Sequence, residues 1–389
     1  MTPPACPSLR HPLPRGPGCG PGRGRLRLLA LAALVMLAAG CGHPPELIGV
    51  AGVPPGPVAG ATERRIFIAT TRAPAAGPGQ LYSQRRSGRL GLAEVTVSIP
   101  PGHVAGRIER ARRLPPDPRR EMTVAAATRY TADRDFIAAV DAELARRAPA
   151  DREVLLFVHG YNNTPSDSVL RLAQFVQDSG FRGVPVLFSW PSAGRRTHYV
   201  YDLNSALAAR PLLEQASSLL IRTRAGGFDV FAHSMGALLV TEVMVQSDLQ
   251  NTLGSSGHLH NVMLAAPDID LDLFRAQLGQ IRNRRGNVFV FVSGDDRALA
   301  LSRRLSGGVD RVGDATAAEL AGLNVTVIDL ARVGDSASGT HAKFAASPEV
   351  VKLIGAALGR DSFSGRAEAP AVVDILDGIP VLERLLPQP

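Results

Sequence analysis

The residues with the clearest chemical potential run Phe228-Asp229-Val230-Phe231-Ala232-His233-Ser234-Met235-Gly236. A short apolar run ends in a serine and small residues, and a helix-like stretch, Ala237 to Val245, begins at once. A serine at so sharp a strand-to-helix turn is lifted off the sheet edge. The first N–H groups of the helix then point at whatever the hydroxyl attacks. Such turns usually read G-x-S-x-G. Here Ala232 replaces the first glycine, the smallest departure that still lets strand and helix backbones approach closely. The plainer reading of Ser234 is a cap on a buried helix.

A serine hydroxyl needs a base, and the base needs an orienting acid. Both are expected after the serine in chain order, acid before histidine, each on a loop that follows a strand. The run Asn287–Val292 leads into Ser293-Gly294-Asp295-Asp296-Arg297-Ala298-Leu299. Asp296, just ahead of a helix, is the favoured acid and Asp295 the alternative; either also fits a helix N-cap. Asp268 is a weaker candidate after the preceding strand. Asp268, Asp270 and Asp272 alternate like a metal loop but lack the Gly and Glu that complete one, and read as a solvated helix start.

His341 is the expected base, because the loop Gly334 to Thr340 delivers it after the last strand. His258 and His260 fall at the other end of the sheet, and His103 and His198 precede the serine. His233 adjoins Ser234 and cannot fold back onto it. Backbone N–H groups of Met235 and Tyr161 are the expected oxyanion donors, the second from the turn His159-Gly160-Tyr161-Asn162-Asn163. Trp190, in Phe188-Ser189-Trp190-Pro191-Ser192, either walls the acyl pocket or belongs to the core. The loop after it is short for a large lid.

The elements that must position these groups alternate regularly. Strands are expected at 154–158, 184–190, 228–232, 261–265, 287–292 and 325–330. Helices are expected at 167–177, within 202–222, and at 235–247, 271–282, 298–305 and 348–358. The strands are continuous apolar runs, as in a parallel sheet covered on both faces. A doubly wound sheet binds ligands at the carboxyl ends of its strands, where Ser234 falls. Upstream, 66–70 and 92–99 read as strands and 136–147 as a helix. Residues 62–148 either extend the sheet edge or cover the site. The pattern gives a domain over 62–360, divided into an N-terminal part (62–150) and a core (151–360). The tail, 361–389, reads as a short helix within 372–386.

The beginning of the chain has a different character. Residues 1–24 are rich in Pro, Gly and Arg. Arg23, Arg25 and Arg27 then flank an apolar run, Leu28 to Ala39, that ends in Ala38-Ala39-Gly40-Cys41. A positive flank, a short apolar stretch and small residues read as a secretory signal, too short for a span of about 20 apolar residues. The segment resembles a bacterial lipoprotein signal, which implies cleavage after residue 40, acylation of Cys41 and a membrane anchor in the cell envelope. Residues 41–61 then form a Gly/Pro-rich tether.

All three cysteines, Cys6, Cys19 and Cys41, lie at or before that cut, so neither disulfides nor a cysteine metal site are expected. The net charge of +8 includes Arg10, Arg15, Arg23, Arg25 and Arg27 of the signal, leaving about +3 on the remainder. No basic stripe interleaved with aromatics remains, and a nucleic-acid partner is not expected.

Taken together, Val158 to Asn163, Phe188 to Ser192, Ala232 to Gly236, and Ser293 to Leu299 with Ser302 resemble the DUF900 family of α/β hydrolases. Ala69-Thr70-Thr71-Arg72 and Val97-Ser98-Ile99-Pro100 fit the same family, so the resemblance spans roughly 65–358. It implies the α/β-hydrolase fold, a mostly parallel doubly wound sheet with an N-terminal strand-containing extension. It also implies a triad of Ser234, Asp296 and His341. The functional expectation is a serine esterase acting on a small-molecule or lipid ester without metal or organic cofactor. The reading from another class is a catalytically silent envelope lipoprotein on the same frame. Oligomeric state is left unassigned.

Overall fold

A computed structural model describes residues 44–47, 57–75, 80–282, 286–331, 333, 340–358, 371–376 and 379–384. The expected signal, Cys41 and most of the expected tether lie outside the described residues. The chain divides into a unit of residues 1–43 and a compact unit, Pro44–Pro389, to which all that follows refers.

The compact unit is built on one sheet of eleven described strands. In chain order they are β1 (Thr62–Pro74), β2 (Tyr82–Ile99), β3 (Thr123–Tyr130), β4 (Glu153–Val158), β5 (Val184–Ser189) and β6 (Gly227–His233). Then come β7 (Leu259–Ala265), β8 (Asn287–Val292), β9 (Thr326–Asp329), β10 (Ala371–Leu376) and β11 (Ile379–Arg384). Their spatial order is β11-β10-β9-β8-β7-β6-β4-β5-β1-β2-β3. From β1 to β10 across the centre every pairing is parallel, and the antiparallel partners β2, β3 and β11 sit at the edges.

The helices are α1 (Asp133–Ala145), α2 (Pro165–Ser179), α3 (Tyr199–Ala208), α4 (Arg210–Ile221) and α5 (Met235–Leu249). They are followed by α6 (Leu271–Gln280), α7 (Arg297–Leu305), the single turn α8 (Lys343–Ala346) and α9 (Pro348–Ala357). Successive residues of a strand face opposite sides, so a run such as Val154-Leu-Leu-Phe-Val158 feeds two cores. Val154, Leu156 and Val158 pack with residues of α1, α4, α5 and α6 on one face, and Leu155 and Phe157 with residues of α2, α8 and α9 on the other. Each large apolar side chain buried this way contributes about 1.5–3 kcal/mol.

The chain goes from β4 outward to β5, then returns past β4 to β6. The sequence order thus reverses between β4 and β6, and a crevice opens there at the carboxyl ends of the strands. His159 to Asn163 leave the end of β4, and Ser234 leaves the end of β6. The two chain segments singled out for chemistry therefore flank the switch point.

Several expectations are corrected. The tail is a hairpin, β10 and β11, not a helix; β10 pairs parallel to β9 and covers its open edge. Val372, Val373 and Ile375 are β-branched, and Asp377-Gly378 between two apolar runs is a hairpin signal. The helix expected within 202–222 is two helices that meet at Ala209, because Pro211 in the first turn of α4 has no N–H to continue α3. Strand β3 is not among the expected strands: Thr123-Val-Ala-Ala-Ala-Thr-Arg-Tyr130 is alanine-rich at its centre and half of its residues are exposed, with no apolar alternation to mark it. Residues 62–148 extend the sheet edge through β1, β2 and β3. Within the expected tether, Leu47 is buried and its N–H donates to Ser166 Oγ (2.7 Å), while the Glu46 carboxylate accepts from the Ser166 amide (3.0 Å) at the start of α2.

The loop after β2 is fastened to α2 by a histidine between two carboxylates. His103 Nδ1 lies 2.8 Å from Glu109 Oε2, and Nε2 lies 2.8 Å from Asp178 Oδ1. Burial pulls its pKa down, but the hydrogen bonds to Asp178 and Glu109 outweigh this and hold it above the ordinary value. A raised histidine pKa stabilises fully below the unfolded value and ceases to do so as pH rises through the folded one. His103→Gln is therefore expected to melt well below wild type at about pH 6, with the gap closing toward about pH 9. A gap independent of pH in calorimetric scans contradicts this.

Candidate active site

Between the last residue of β6, His233, and the first of α5, Met235, the chain turns on Ser234 alone. Ser234 has φ 54° and ψ −124°, a conformation that non-glycine residues adopt only when their surroundings impose it. The surroundings do. The Ser234 N–H is anchored to Ala265 O at 2.9 Å. The backbones of β4 and α5 then touch: a Cβ on Gly236 would lie 2.4 Å from His159 O and 2.7 Å from Val158 O. A Cβ on Gly160 would lie 2.8 Å from Ser234 Cβ and 2.8 Å from His233 Nδ1. Only glycine fits at either place. Ser234 precedes a helix but its side chain makes no capping hydrogen bond, so the cap reading does not describe it.

Asp296 follows β8 and is buried. Its two oxygens divide the work. Oδ1 caps α7 by accepting from Ala298 N–H (2.9 Å) and Leu299 N–H (3.2 Å), and Oδ2 meets His341 Nδ1 at 2.7 Å. Cap and histidine partner, alternatives in the sequence, are both true of one residue. Asp295 points elsewhere. Lys343 Nζ donates to both of its oxygens (3.0 and 2.9 Å) and to Leu330 O (3.1 Å). Partial burial opposes ionisation of Asp295, but Ser293 and Lys343 outweigh it and hold the carboxyl below its usual value.

Asp268 is bound up in a separate buried cluster: Ser302 Oγ donates to it (2.6 Å), as does the Tyr199 hydroxyl (3.0 Å), and Arg311 Nε is 3.4 Å away. Asp270 caps α6 through the Asp272 and Leu273 amides. Among the described residues no group of His, Cys, Asp and Glu is arranged to hold a metal ion.

His233 has a part that the sequence did not disclose. Its Nε2 lies 3.1 Å from His341 O, a contact that requires an N–H on that nitrogen. Burial first, then the neighbouring His341, holds its pKa well below the ordinary value, so the ring is neutral. The two imidazoles lie 4.7 Å apart, and Phe344 packs 4.5 Å from His233. The residue beside Ser234 thus fixes the backbone of His341 while Asp296 fixes its ring. Among the described residues no hydrogen bond joins the Ser234 hydroxyl to His341. Such contacts are often long before substrate binds.

At the mouth of the switch point, neither the Met235 nor the Tyr161 amide has an acceptor among the described residues. The Tyr161 hydroxyl donates to Arg196 O, and its ring packs edge-on against Tyr199 at 5.4 Å. Trp190 belongs to the core: it is buried, its indole N–H donates to His159 O (2.7 Å), and it stacks on the His159 ring at 4.9 Å. His159 is pulled down to about 3 by burial and by the Arg72 cation, so the ring is neutral and its one N–H serves only one of the two carbonyls it faces, Gly160 O at Nδ1 (2.8 Å) or Trp190 O at Nε2 (3.0 Å). An apolar cavity of about 150 Å³ between α4 and α5 is lined by Phe228 and Leu259 at the amino ends of β6 and β7. It is at the wrong end of the sheet to serve Ser234.

Chemically, the ensemble comprises a hydroxyl on a strained turn, an imidazole whose Nδ1 faces a buried carboxylate, and two amides without acceptors. These are the components of acyl transfer through an oxyanion.

Comparison with known proteins gives the following. The profile described as "Alpha/beta hydrolase of unknown function (DUF900)" matches residues 137–357. No curated protein matches the chain. Among solved structures, an esterase from Rhizomucor miehei is similar at 13% identity over 88% of this chain and 91% of that one, with a TM-score of 0.33. An esterase from Pyrobaculum calidifontis is similar at 11% identity over 86% and 92%, with a TM-score of 0.33. Phospholipase PlaB from Legionella pneumophila is similar at 19% identity over 42% and 44%, with a TM-score of 0.26. Similarities this low carry no argument about this chain. The family profile covers more than half of the sequence, and the sheet is mixed and largely parallel with helices on both faces: the chain belongs to the DUF900 family of α/β hydrolases.

Proposed function

We propose that this chain is a serine hydrolase acting on carboxylic esters. The observation that carries the reading is the 2.7 Å contact between His341 Nδ1 and the buried Asp296 carboxylate, beside a serine at positive φ. With Nδ1–H donated to Asp296, the lone pair of His341 lies on Nε2 and can take a proton.

The reaction then runs in two halves. Ser234 Oγ attacks the ester carbonyl carbon while its proton passes to His341 Nε2. The carbonyl oxygen becomes an oxyanion held by the Met235 and Tyr161 N–H groups, and each such donor contributes about 3 kcal/mol to the transition state. The tetrahedral species expels the alcohol, which leaves with the proton from Nε2, and an acyl-Ser234 ester remains. Water enters, gives a proton to Nε2 and attacks the acyl carbon. Collapse releases the acid and returns the proton to Ser234. Asp296 stays ionised throughout and stabilises the imidazolium.

The substrate in this reading is a small-molecule or lipid ester. Lipids are favoured by location: the signal-like segment ahead of Cys41 supports a chain acylated at that cysteine and anchored to a bacterial membrane, facing the periplasm or exterior.

Three outcomes are expected. In an assay with p-nitrophenyl esters of graded acyl length, wild type hydrolyses at least one ester and Ser234→Ala loses about 10³-fold or more in kcat. Equal rates in the two contradict the assignment. Asp296→Asn loses about 10²- to 10⁴-fold, whereas Asp295→Asn, which disturbs the Lys343 pair and the Ser293 hydrogen bond but not His341, stays within about tenfold. Comparable losses overturn the choice of acid. Expressed in a bacterium, the chain enters the membrane fraction with a lipid-bearing N-terminus, and Cys41→Ser moves it to the soluble fraction. Unchanged partitioning argues against the anchor.

A further inference from the structure

Behind the Tyr161 amide, two buried charged side chains grip one short stretch of chain from different elements. Arg72 lies near the end of β1 and is 1% exposed. Its Nε donates to Ser189 Oγ (2.9 Å), Nη1 to Ser192 O (3.0 Å) and Nη2 to Asn163 O (2.9 Å). Asp202 lies in α3 and is fully buried. Its Oδ1 accepts from Ala193 N–H (2.7 Å), and Oδ2 accepts from the Ser192 hydroxyl (2.5 Å) and from Asn162 N–H (3.3 Å). Ser192 Oγ in turn accepts from Asn163 N–H at 3.0 Å.

The division of labour follows from chemistry. A guanidinium has only donors and takes carbonyl and hydroxyl oxygens; a carboxylate has only acceptors and takes amides and a hydroxyl. Between them they tie the turn after β4 to the turn after β5. The Asn163 side chain completes the set, its Nδ2 donating to Gly160 O (3.1 Å) and Tyr161 O (2.8 Å). The amides of Asn162 and Asn163 and the carbonyls of Gly160, Tyr161 and Asn163 are therefore all committed. The Gly160 and Tyr161 amides have no acceptor among the described residues, and Gly160 lies against Ser234. Burial opposes the charge on both side chains, bringing Arg72 down to about 10 and raising Asp202, so neither is placed there at no cost.

We infer that Arg72 and Asp202 are positioning residues that hold the turn Gly160–Asn163 in place before substrate arrives, so that its free amide meets the oxyanion without reorganising. The inference rests on the serine-hydrolase reading. Neither residue touches substrate; each acts through the backbone of that turn. A turn that must rearrange during the reaction stabilises the transition state less and the bound ester hardly at all, so the effect falls on kcat rather than KM.

The test is Asp202→Asn, in which three donors face a side chain with one acceptor oxygen. Turnover is expressed per active site, counted by stoichiometric fluorophosphonate labelling. We expect kcat about 10- to 100-fold lower, KM within about threefold of wild type, and slower labelling that still reaches completion. A purely structural role lowers the melting temperature and the labelled fraction but leaves kcat per labelled site within about twofold of wild type, and that result overturns the inference. Ser192→Ala removes one hydroxyl from the same network and serves if Asp202→Asn fails to fold; the same drop in kcat at lower amplitude supports the inference, and an unchanged kcat overturns it. A wild type that neither labels nor hydrolyses any ester removes the underlying reading, a result distinct from either.

Discussion

The closeness with which β4 and β6 can finish is the constraint on which the site depends. Two backbones must pass where Val158 and His159 end β4 and where Ser234 to Gly236 open α5. The clearances admit no Cβ at Gly160 or Gly236. With that contact made, Ser234 is driven to positive φ, its hydroxyl is freed from capping, and the amides on either side of it are left without acceptors. A larger residue at either glycine would separate the strands and relax the turn together. The strain at Ser234 is thus held by packing that extends into both cores, not by the serine itself.

Around this contact the buried polar groups are used economically. Asp296 caps α7 with one oxygen and orients His341 with the other. Lys343 holds Asp295, so two adjacent aspartates occupy different surroundings and Asp296 alone meets His341. His233 is a neutral imidazole that anchors a carbonyl, and His159 is another, stacked on Trp190. Arg72 and Asp202 close the far side. Each charge is met by hydrogen bonds, as burial requires.

Much of this was legible because sharp strand-to-helix turns and parallel sheets both leave local marks. Continuous apolar runs gave the central strands, and the strand–serine–helix sequence gave the turn. The positions of Asp296 and His341 after β8 and β9 marked them as partners, and the structure brings them to 2.7 Å. Asp295 and Asp296 could be ranked but not separated by sequence, since what separates them is Lys343, remote in the chain and unremarkable in pattern. The part played by His233 was hidden because its partner is a backbone carbonyl more than a hundred residues away. Arg72 appeared only as a letter in a family motif, and Asp202 not at all, because buried polar anchors have no periodicity. The edge strands were hardest to read. β3 is alanine-rich and only half exposed, and the tail hairpin signals itself by a few β-branched residues and one Asp-Gly pair.

The central claim is that Ser234 is an activated nucleophile. It is tested most directly by treating the folded protein with a fluorophosphonate and locating the adduct by intact and peptide mass. The account predicts a single adduct on the peptide carrying Ser234, absent from Ser234→Ala. No adduct on folded wild type, or an adduct on another residue, contradicts it.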